Sequence, residues 1–186
     1  LAAIAAHGIH PIDLVVVNLY PFAQTAAAEE TTFDDVIEQI DIGGPSMVRA
    51  AAKNFSDVLI VVDPTDYPRV LEALDRPDGP DATFRFELAQ KAFAHTAAYD
   101  ATIATALSRV TEDDGRLRHV PLRVDGPTPD HLMVSVPKLH DLRYGENPHQ
   151  LAAVYADDGA WGFGTARVVQ GKGLSYTNLL DLDAAA

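Results

Sequence analysis

The stretch DLVVVNLYPF, residues 13–22, decides the fold class of this chain. It opens with an apolar run, 13–17, that lacks the alternation of a half-exposed strand. Such a run predicts a strand covered on both faces, as in a parallel sheet. A second apolar run, DVLIVV at 57–62, predicts a second strand of the same kind. Helical patterns lie between and after the two runs, and this order of elements is typical of an α/β fold.

The helices are predicted from their spacing and their end signals. Thr32 is a capping residue at the start of a short helix, and Pro45 suits the first position of an Ala-rich one. The dipeptide Gly43-Gly44 predicts a turn just before that Ala-rich helix. The predicted helices cover residues 1–8, 32–39, 46–53, 67–74 and 82–109.

Residues 110–130 have the composition of a domain linker. They contain TEDDGR and VDGPTPD, which are polar and rich in Gly and Pro. Short β-like pieces follow at 132–136 and 152–155. The sequence therefore predicts two domains, 1–130 and 131–186.

Composition narrows the class of function. The 186 residues include 14 Lys and Arg against 27 Asp and Glu, which gives a formal net charge of −13. Such an acidic surface repels nucleic acid and anionic membranes, so neither is an expected partner. The sequence has no cysteine, which excludes disulfide and thiolate chemistry and fits a reducing cytoplasm. No apolar run approaches the ~20 residues of a membrane-spanning helix.

The ends of the sequence predict that it is an internal fragment of a longer protein. It does not start with Met, and its last residues, DLDAAA, resemble a helix cut in mid-turn. The opening LAAIAAHGIH also lacks the basic residues of a signal peptide.

Polar side chains follow both predicted strands. Asn18 and Tyr20 come after the first strand, and Asp63 and Asp66 come after the second. Ligands of open α/β sheets bind at the carboxyl ends of the strands, so these residues are candidates for a nucleotide site. The alternative is that Tyr20 and Phe22 are core aromatics and that Asn18 caps a turn.

Asp41 and Lys53 are the next candidates. A lysine and a carboxylate beside a polar substrate can act as acid and base, and the helix start after Asp41 offers N–H groups to an anion. The eight residues from Pro45 to Lys53 rise ~12 Å, so both groups reach one substrate only if the helix starts late or the ligand lies along its side. The alternative is that Lys53 is a favourable charge at a helix C-terminus.

His95 and Tyr99 lie one helical turn apart on the long predicted helix. No HExxH motif or second histidine at ligand spacing accompanies them, so the sequence predicts no metal site. Helix packing is the favoured interpretation of this pair.

The segment RYGENPHQ, residues 143–150, concentrates hydrogen-bonding groups in one loop. Arg143 can bind a phosphate or carboxylate in bidentate fashion, and Tyr144 can stack on a heterocycle. The alternative is a solvated turn built on Gly145 and Pro148. The later GKGLSY lacks the spacing of a Walker phosphate loop.

Five segments, in this order, resemble the bifunctional purine-biosynthesis family AICAR transformylase/IMP cyclohydrolase. They are DLVVVNLYPF (13–22), IDIGGPSMVRAAAKN (40–54), KAFAHTAAYD (91–100), LRYGENPHQ (142–150) and LSYTNLLD (174–181). The resemblance implies a methylglyoxal-synthase-like α/β domain with a parallel sheet, which closes the purine ring. It also implies the start of a cytidine-deaminase-like α/β domain, which transfers a formyl group.

The resemblance assigns roles to residues of the first domain. Lys53 matches the family's proton donor and acceptor in ring closure, and Tyr20 and Asp41 match its other polar active-site residues. The positions that match nucleotide contacts are Val17, Asn18, Asp41 and Ile42.

In the second domain, Arg143 and Tyr144 match residues that hold AICAR, and Asn178 matches a nearby site residue. The implied substrates are AICAR, formyl-AICAR and IMP, with 10-formyltetrahydrofolate as co-substrate and with no bound cofactor or metal. The family is a homodimer, so a homodimer is the implied assembly.

The chain also departs from the family pattern. The N-terminal phosphate-binding turns, the GRVKTLHP segment and the later Lys-His segment are absent, so the fragment is expected to be inactive by itself. A second hypothesis is a regulatory domain of the methylglyoxal-synthase-like type that binds a nucleotide without catalysis. It leaves RYGENPHQ and LSYTNLLD unexplained.

Overall fold

The computed structural model describes residues 4, 6–120, 134, 136–156, 162 and 166–185. The chain divides into two compact units, Leu1–Met133 and Val134–Ala186.

A two-stranded parallel sheet organises the first unit. Strand β1 (Leu14–Val16) pairs with β2 (Leu59–Val61), with Leu14 opposite Leu59 and Val16 opposite Val61. This pairing confirms the predicted parallel sheet, and its two carboxyl ends lie at one edge. All of β2 is buried.

The prediction that β1 is covered on both faces is wrong for the described residues. Leu14 is 39% exposed and Val16 is 48% exposed, whereas Val15 packs against the core. The reason is that successive side chains of a strand point to opposite faces, and the described elements cover only the face of Val15.

Helices connect and cover the strands. Their bounds are α1 (Phe22–Ala27), α2 (Phe33–Glu38), α3 (Gly43–Lys53), a 3₁₀ turn (Pro64–Asp66), α4 (Tyr67–Leu74) and α5 (Ala82–Leu107). Thr32 caps α2 as predicted, because its side chain accepts from the N–H of Asp35 while the Asp35 carboxylate accepts from the N–H of Thr32. The predicted helix at 1–8 lies partly outside the described residues.

The start of α3 differs from the prediction. Gly43 and Gly44 belong to the helix and do not form a turn before it. Asp41 causes the earlier start, because its Oδ1 accepts a 2.7 Å hydrogen bond from the N–H of Gly44 and so satisfies a free donor of the first turn.

The core of the first unit lies between β2 and the two helices α3 and α5. Val48 and Ala52 of α3 and Leu88 and Ala92 of α5 are almost fully buried against the strand. A second cluster joins α1, α2 and the end of α5 through Phe22, Ala26, Val36 and Ala106.

The predicted linker contains a hairpin. Strands β3 (Thr111–Asp113) and β4 (Arg116–Arg118) pair in antiparallel fashion around Asp114 and Gly115, which both have positive φ. Asp-Gly is a preferred pair for such a turn, so residues 111–118 have a regular structure that the linker interpretation did not predict. Residues 121–130 lie outside the described residues.

The described residues of the second unit form a small antiparallel sheet and a helix. Strand β5 (Lys138–Asp141) pairs with β6 (Ala153–Tyr155), and α6 runs over Tyr176–Ala185. Strand β6 confirms the predicted β-piece at 152–155. Most of the one predicted at 132–136 lies outside the described residues. Within the described part of the chain, no helix is both long and apolar enough to cross a membrane.

Candidate functional sites

The carboxyl edge of the parallel sheet collects the first group of candidates. Asn18 and Tyr20 follow β1 and are exposed, and Tyr20 presents 55% of its surface. Phe22, by contrast, is only 1% exposed. Of the two aromatics that could belong to the core, Phe22 does and Tyr20 does not. The phenol of Tyr20 is therefore accessible to a ligand. Val17 is half-buried, and its N–H donates to the carbonyl of Val61.

Asp41 lies half-buried between two contacts. Its Oδ1 accepts from the N–H of Gly44, and its own N–H donates a 2.9 Å hydrogen bond to the hydroxyl of Tyr99. That hydroxyl donates in turn to the carbonyl of Gln39 at 3.2 Å. Ile42, the next residue, is 73% exposed. The position of Asp41 is thus determined by both the helix start and Tyr99.

The Tyr99 hydroxyl is held as a neutral donor. Burial raises the pKa of Tyr99, and the hydrogen bond from the N–H of Asp41 opposes that shift. The negative charges of Asp41, Asp100 and an ionised Tyr20 would raise this pKa further. A neutral phenol can donate to Gln39 while it accepts from Asp41, which is the arrangement observed.

Lys53 is placed away from Asp41. It is the exposed last residue of α3, whereas Asp41 precedes the first residue of the same helix. From Gly43 to Lys53 the helix rises about 15 Å. The structure therefore brings Asp41 close to Tyr99, and it separates Lys53 from them by the length of α3.

Asp63 and Asp66, the candidates that follow β2, form a charged cluster with a residue that the sequence did not identify, Lys91. Nζ of Lys91, on α5, lies 2.6 Å from Oδ2 of Asp63 and 2.7 Å from Oδ2 of Asp66. The hydrogen bond from Lys91 lowers the pKa of Asp63 to about 2, and bonds from Thr65 add to this shift. Burial acts to lower the pKa of Lys91, but the two aspartates outweigh it, and the net direction is upward.

His95 lies one turn after Lys91 on the same helix. Burial lowers the pKa of His95, the charge of Asp63 opposes that shift, and the charge of Lys91 adds to it. Lys91, His95 and Tyr99 are spaced at i, i+4 and i+8, which places them along one stripe of α5. This spacing is the pattern in the sequence that could have shown that Lys91 lies on the same face of the helix as His95 and Tyr99.

The second unit brings together two distant segments. The N–H of Arg143 donates to the carbonyl of Leu174 at 2.8 Å, and the N–H of Tyr176 donates to the carbonyl of Tyr144 at 3.0 Å. These bonds join RYGENPHQ to the start of α6, which carries Asn178. The candidates Arg143, Tyr144 and Asn178 therefore belong to one region.

Arg143 is exposed and stacked on its neighbour. Its guanidinium carbon lies 4.8 Å from the ring centroid of Tyr144, and Nη2 donates to the Tyr144 hydroxyl at 3.2 Å. The stacked plane keeps N–H groups available to an anion, because a guanidinium carries five donors.

Asn178 has a structural partner. Its Oδ1 accepts from both the N–H and Oγ of the fully buried Ser175, and the N–H of Asn178 donates to Ser175 Oγ. This reciprocal cap begins α6 and leaves the amide nitrogen of Asn178 for other contacts.

The rest of RYGENPHQ forms a turn. Oε1 of Gln150 accepts from the N–H of Asn147, and the carbonyl of Gln150 accepts from the N–H of the buried Gly145. The turn interpretation thus applies to residues 145–150, and Arg143 stands outside it. Across the described residues, no group of three or more His, Asp or Glu side chains could hold a metal ion.

Two family models match the chain. A family model described as the AICARFT/IMPCHase bienzyme matches residues 51–186, and the MGS-like domain model matches residues 1–46. These matches agree with the mixed α/β fold and its parallel sheet.

Two curated relatives share the bienzyme character. A "Bifunctional purine biosynthesis protein PurH" from Myxococcus xanthus is 52% identical over 97% of this chain, and one from Acidithiobacillus ferrooxidans is 48% identical over 97%. The chain spans about a third, 33%, of the length of each. A solved structure titled "Crystal structure of ForH" shares 39% identity over 55% of this chain and 54% of that one, with a TM-score of 0.46. The matched span, 51–186, is most of the chain, which therefore belongs to the AICARFT/IMPCHase bienzyme family.

Proposed function

We propose that the protein to which this sequence belongs performs two steps of purine biosynthesis. In the first step, a formyl group passes from 10-formyltetrahydrofolate to AICAR, and in the second step formyl-AICAR closes to IMP with loss of water. The observation that supports this most strongly is the bienzyme family match over residues 51–186. The relatives named as bifunctional purine biosynthesis proteins add to it.

Each unit is assigned one part of this activity. We assign residues 1–130 to the cyclohydrolase domain and residues 131–186 to the start of a cytidine-deaminase-like transformylase domain. The proposed assembly is a cytoplasmic homodimer whose transformylase sites use both chains, without a bound cofactor or metal.

Ring closure requires groups that orient the substrate and move protons. The carboxamide nitrogen attacks the formyl carbon, a C–N bond forms, and the formyl oxygen leaves as water. That water takes one proton from the carboxamide nitrogen and one from the formamide nitrogen. The step therefore needs a proton relay and donors for the developing oxyanion.

Tyr20 and Asp41 are the residues best placed for this chemistry. Asp41 Oδ1 is used by Gly44, and Oδ2 is left to orient the carboxamide. The exposed phenol of Tyr20 can donate to the oxyanion. Val17 and Asn18 follow β1, Ile42 directly precedes α3, and all three contact the nucleotide in this proposal.

Lys53 is proposed as the proton carrier, and its position determines how it could act. Because about 15 Å of helix separates it from the start of α3, it reaches the reacting atoms only if the ligand extends along the side of α3. The exposed ammonium of Lys53 is compatible with that arrangement.

Formyl transfer is assigned to the second region. The guanidinium of Arg143 would bind the phosphate of AICAR, and the ring of Tyr144 would pack against its heterocycle. Asn178 would lie nearby, with its amide nitrogen free to donate. These residues bind AICAR in the proposal.

The test uses a full-length family member that carries this sequence, with ring closure and formyl transfer followed separately. Lys53→Ala and Asp41→Asn are expected to lower ring closure and to leave formyl transfer unchanged. The matched controls are Lys172→Ala and Asp57→Asn, which change exposed residues outside the proposed site. A wild-type protein without either activity would refute the proposed function. Unchanged ring closure in Lys53→Ala would remove Lys53 from the mechanism.

A further inference from the structure

Tyr99 connects two segments that carry proposed ring-closure residues. Its hydroxyl bridges the N–H of Asp41 and the carbonyl of Gln39, at 2.9 and 3.2 Å. These partners lie 58 and 60 residues away in the sequence. One hydroxyl therefore fixes both ends of the short segment that leads into α3.

The ring of Tyr99 is held from another direction. It meets Phe22 edge-on, with ring centroids 6.1 Å apart and an interplanar angle of 68°. The N–H of Phe22 donates to the carbonyl of Tyr20 at 2.8 Å. Phe22 is nearly fully buried, so the strand exit that carries Tyr20 is anchored against the ring of Tyr99.

The ring and the hydroxyl of Tyr99 have separable tasks. The ring packs in the core cluster of α1, α2 and α5, which a phenylalanine would also fill. Among the described residues, the hydroxyl bonds to the 39–41 segment alone. The backbone of Asp41 is thus held by Tyr99, its Oδ1 is held by Gly44, and Oδ2 remains for a substrate.

We propose that Tyr99 is a positioning residue for ring closure, which holds Asp41 and the Tyr20 strand exit so that both meet the same ligand. The inference rests on the proposed function of this site. Tyr99 acts through Asp41 and touches no reacting atom. A displacement of about 1 Å in a catalytic group can cost ~100-fold in rate, so the loss of one hydroxyl has a measurable effect.

The experiment is a double-mutant cycle in a full-length family member that carries this sequence. The variants are Tyr99→Phe, Asp41→Asn and the combination of the two. Tyr67→Phe is the control, because Tyr67 is a half-buried tyrosine of the same unit whose hydroxyl has no hydrogen bond to a described residue. Ring closure, formyl transfer and thermal unfolding are measured for each protein.

Tyr99→Phe is expected to lower kcat of ring closure by about 10-fold to 100-fold. Formyl transfer is expected to stay unchanged, and the unfolding midpoint is expected to match that of Tyr67→Phe. In the Asp41→Asn background, Tyr99→Phe is expected to have little further effect, because a residue that acts through Asp41 has nothing left to position.

Several results would overturn the inference. They are an unchanged kcat in Tyr99→Phe, a full additional loss in the Asp41→Asn background, and a parallel fall of both activities with the unfolding midpoint. The last result would make Tyr99 a purely structural residue. If the wild-type protein shows no ring closure, the proposed function fails first and this inference fails with it. A wild-type protein with ring closure and an inert Tyr99→Phe substitution refutes this inference alone.

Discussion

The backbone of Gly44 lies in close contact with the carboxylate of Asp41. The N–H of Gly44 donates a 2.7 Å hydrogen bond to Asp41 Oδ1, and a Cβ on Gly44 would lie against the same carboxylate and 2.8 Å from Cδ2 of Leu19. The position thus has room for a hydrogen atom and for nothing larger.

Gly44→Ala is expected to destabilise the protein by about 1–3 kcal/mol, because overpacking forces neighbouring atoms to move. It should also lower the rate of ring closure, because the carboxylate of Asp41 is among the groups that must move. Gly43→Ala is the matched control, because a Cβ at Gly43 meets nothing within 4 Å. Urea unfolding and the ring-closure rate measure both effects. Equal behaviour of the two variants would contradict the predicted clash.

Lys91→Met is expected to destabilise the protein by removing the nearest cation of the buried Asp66, which then keeps only the longer 3.7 Å ion pair with Arg69. The side chain of Asp66 is 7% exposed and that of Lys91 is 39% exposed. We expect a loss of about 1–2 kcal/mol, between the values of surface and buried pairs. Lys138→Met, which breaks the exposed pair with Asp141, is the control and should cost less. Urea unfolding of both variants measures the two losses of stability, and equal losses would contradict the prediction.

The same substitution is expected to change the acid dependence of stability. The pKa of Asp63 is about 2 in the folded protein against an ordinary value of 3.8. A lowered folded pKa means that the ionised carboxylate contributes stability above 3.8 and that this contribution is lost as the pH falls through about 2. Lys91→Met removes the main cause, so its unfolding midpoint should fall less steeply with acid than that of Lys138→Met. Parallel acid profiles would show that Lys91 does not control Asp63.

Asn178→Asp is expected to separate the capping role of Asn178 from its proposed contact with AICAR. An aspartate keeps the oxygen that accepts from Ser175, so stability should hold, whereas Asn178→Ala should cost about 1 kcal/mol. The aspartate lacks the amide donor and repels a phosphate, so KM for AICAR should rise. An unchanged KM would restrict Asn178 to the helix cap.

Arg143→Lys is expected to weaken AICAR binding without loss of stability. Lysine retains the charge but loses the planar fork and the stack on Tyr144. The loss of one charge-assisted hydrogen bond raises KM by roughly 10-fold. Arg167→Lys, at another exposed arginine, is the control. The formyl-transfer assay gives KM for both variants, and equal values would exclude Arg143 from the site.

The sequence predicted the elements whose signals are local. Apolar runs predicted the parallel strands, helical spacing predicted α4 and α5, and the Thr32 cap predicted α2. It failed at two places where a local signal, a side-chain cap and an Asp-Gly pair, was overlooked. Asp41 starts α3 two residues before Pro45, and Asp114-Gly115 forms a hairpin inside a polar stretch that resembled a linker.

In the candidate sites, the sequence predicted individual residues but not the contacts between them. Residue types and the family resemblance made Tyr20, Asp41 and Arg143 candidates, but they did not predict the partners of these residues. The pairing of Lys91 with Asp63 and the bridge from Tyr99 to Asp41 depend on how α5 lies across the sheet. The placement of α5 depends on tertiary packing. The spacing of residues along a helix predicts which side chains share a face, but not which loops that face will contact.

Lys91 and Tyr99 also limit how the gene can change in length. The two residues hold the loop after β2 and the loop before α3 from a single helix, about 12 Å apart along its axis. Inserting or deleting one codon between them would turn one anchor by about 100° around the helix relative to the other. Both loops could not then be held at once, so related genes should vary freely in the hairpin and keep a fixed count of codons from 91 to 99.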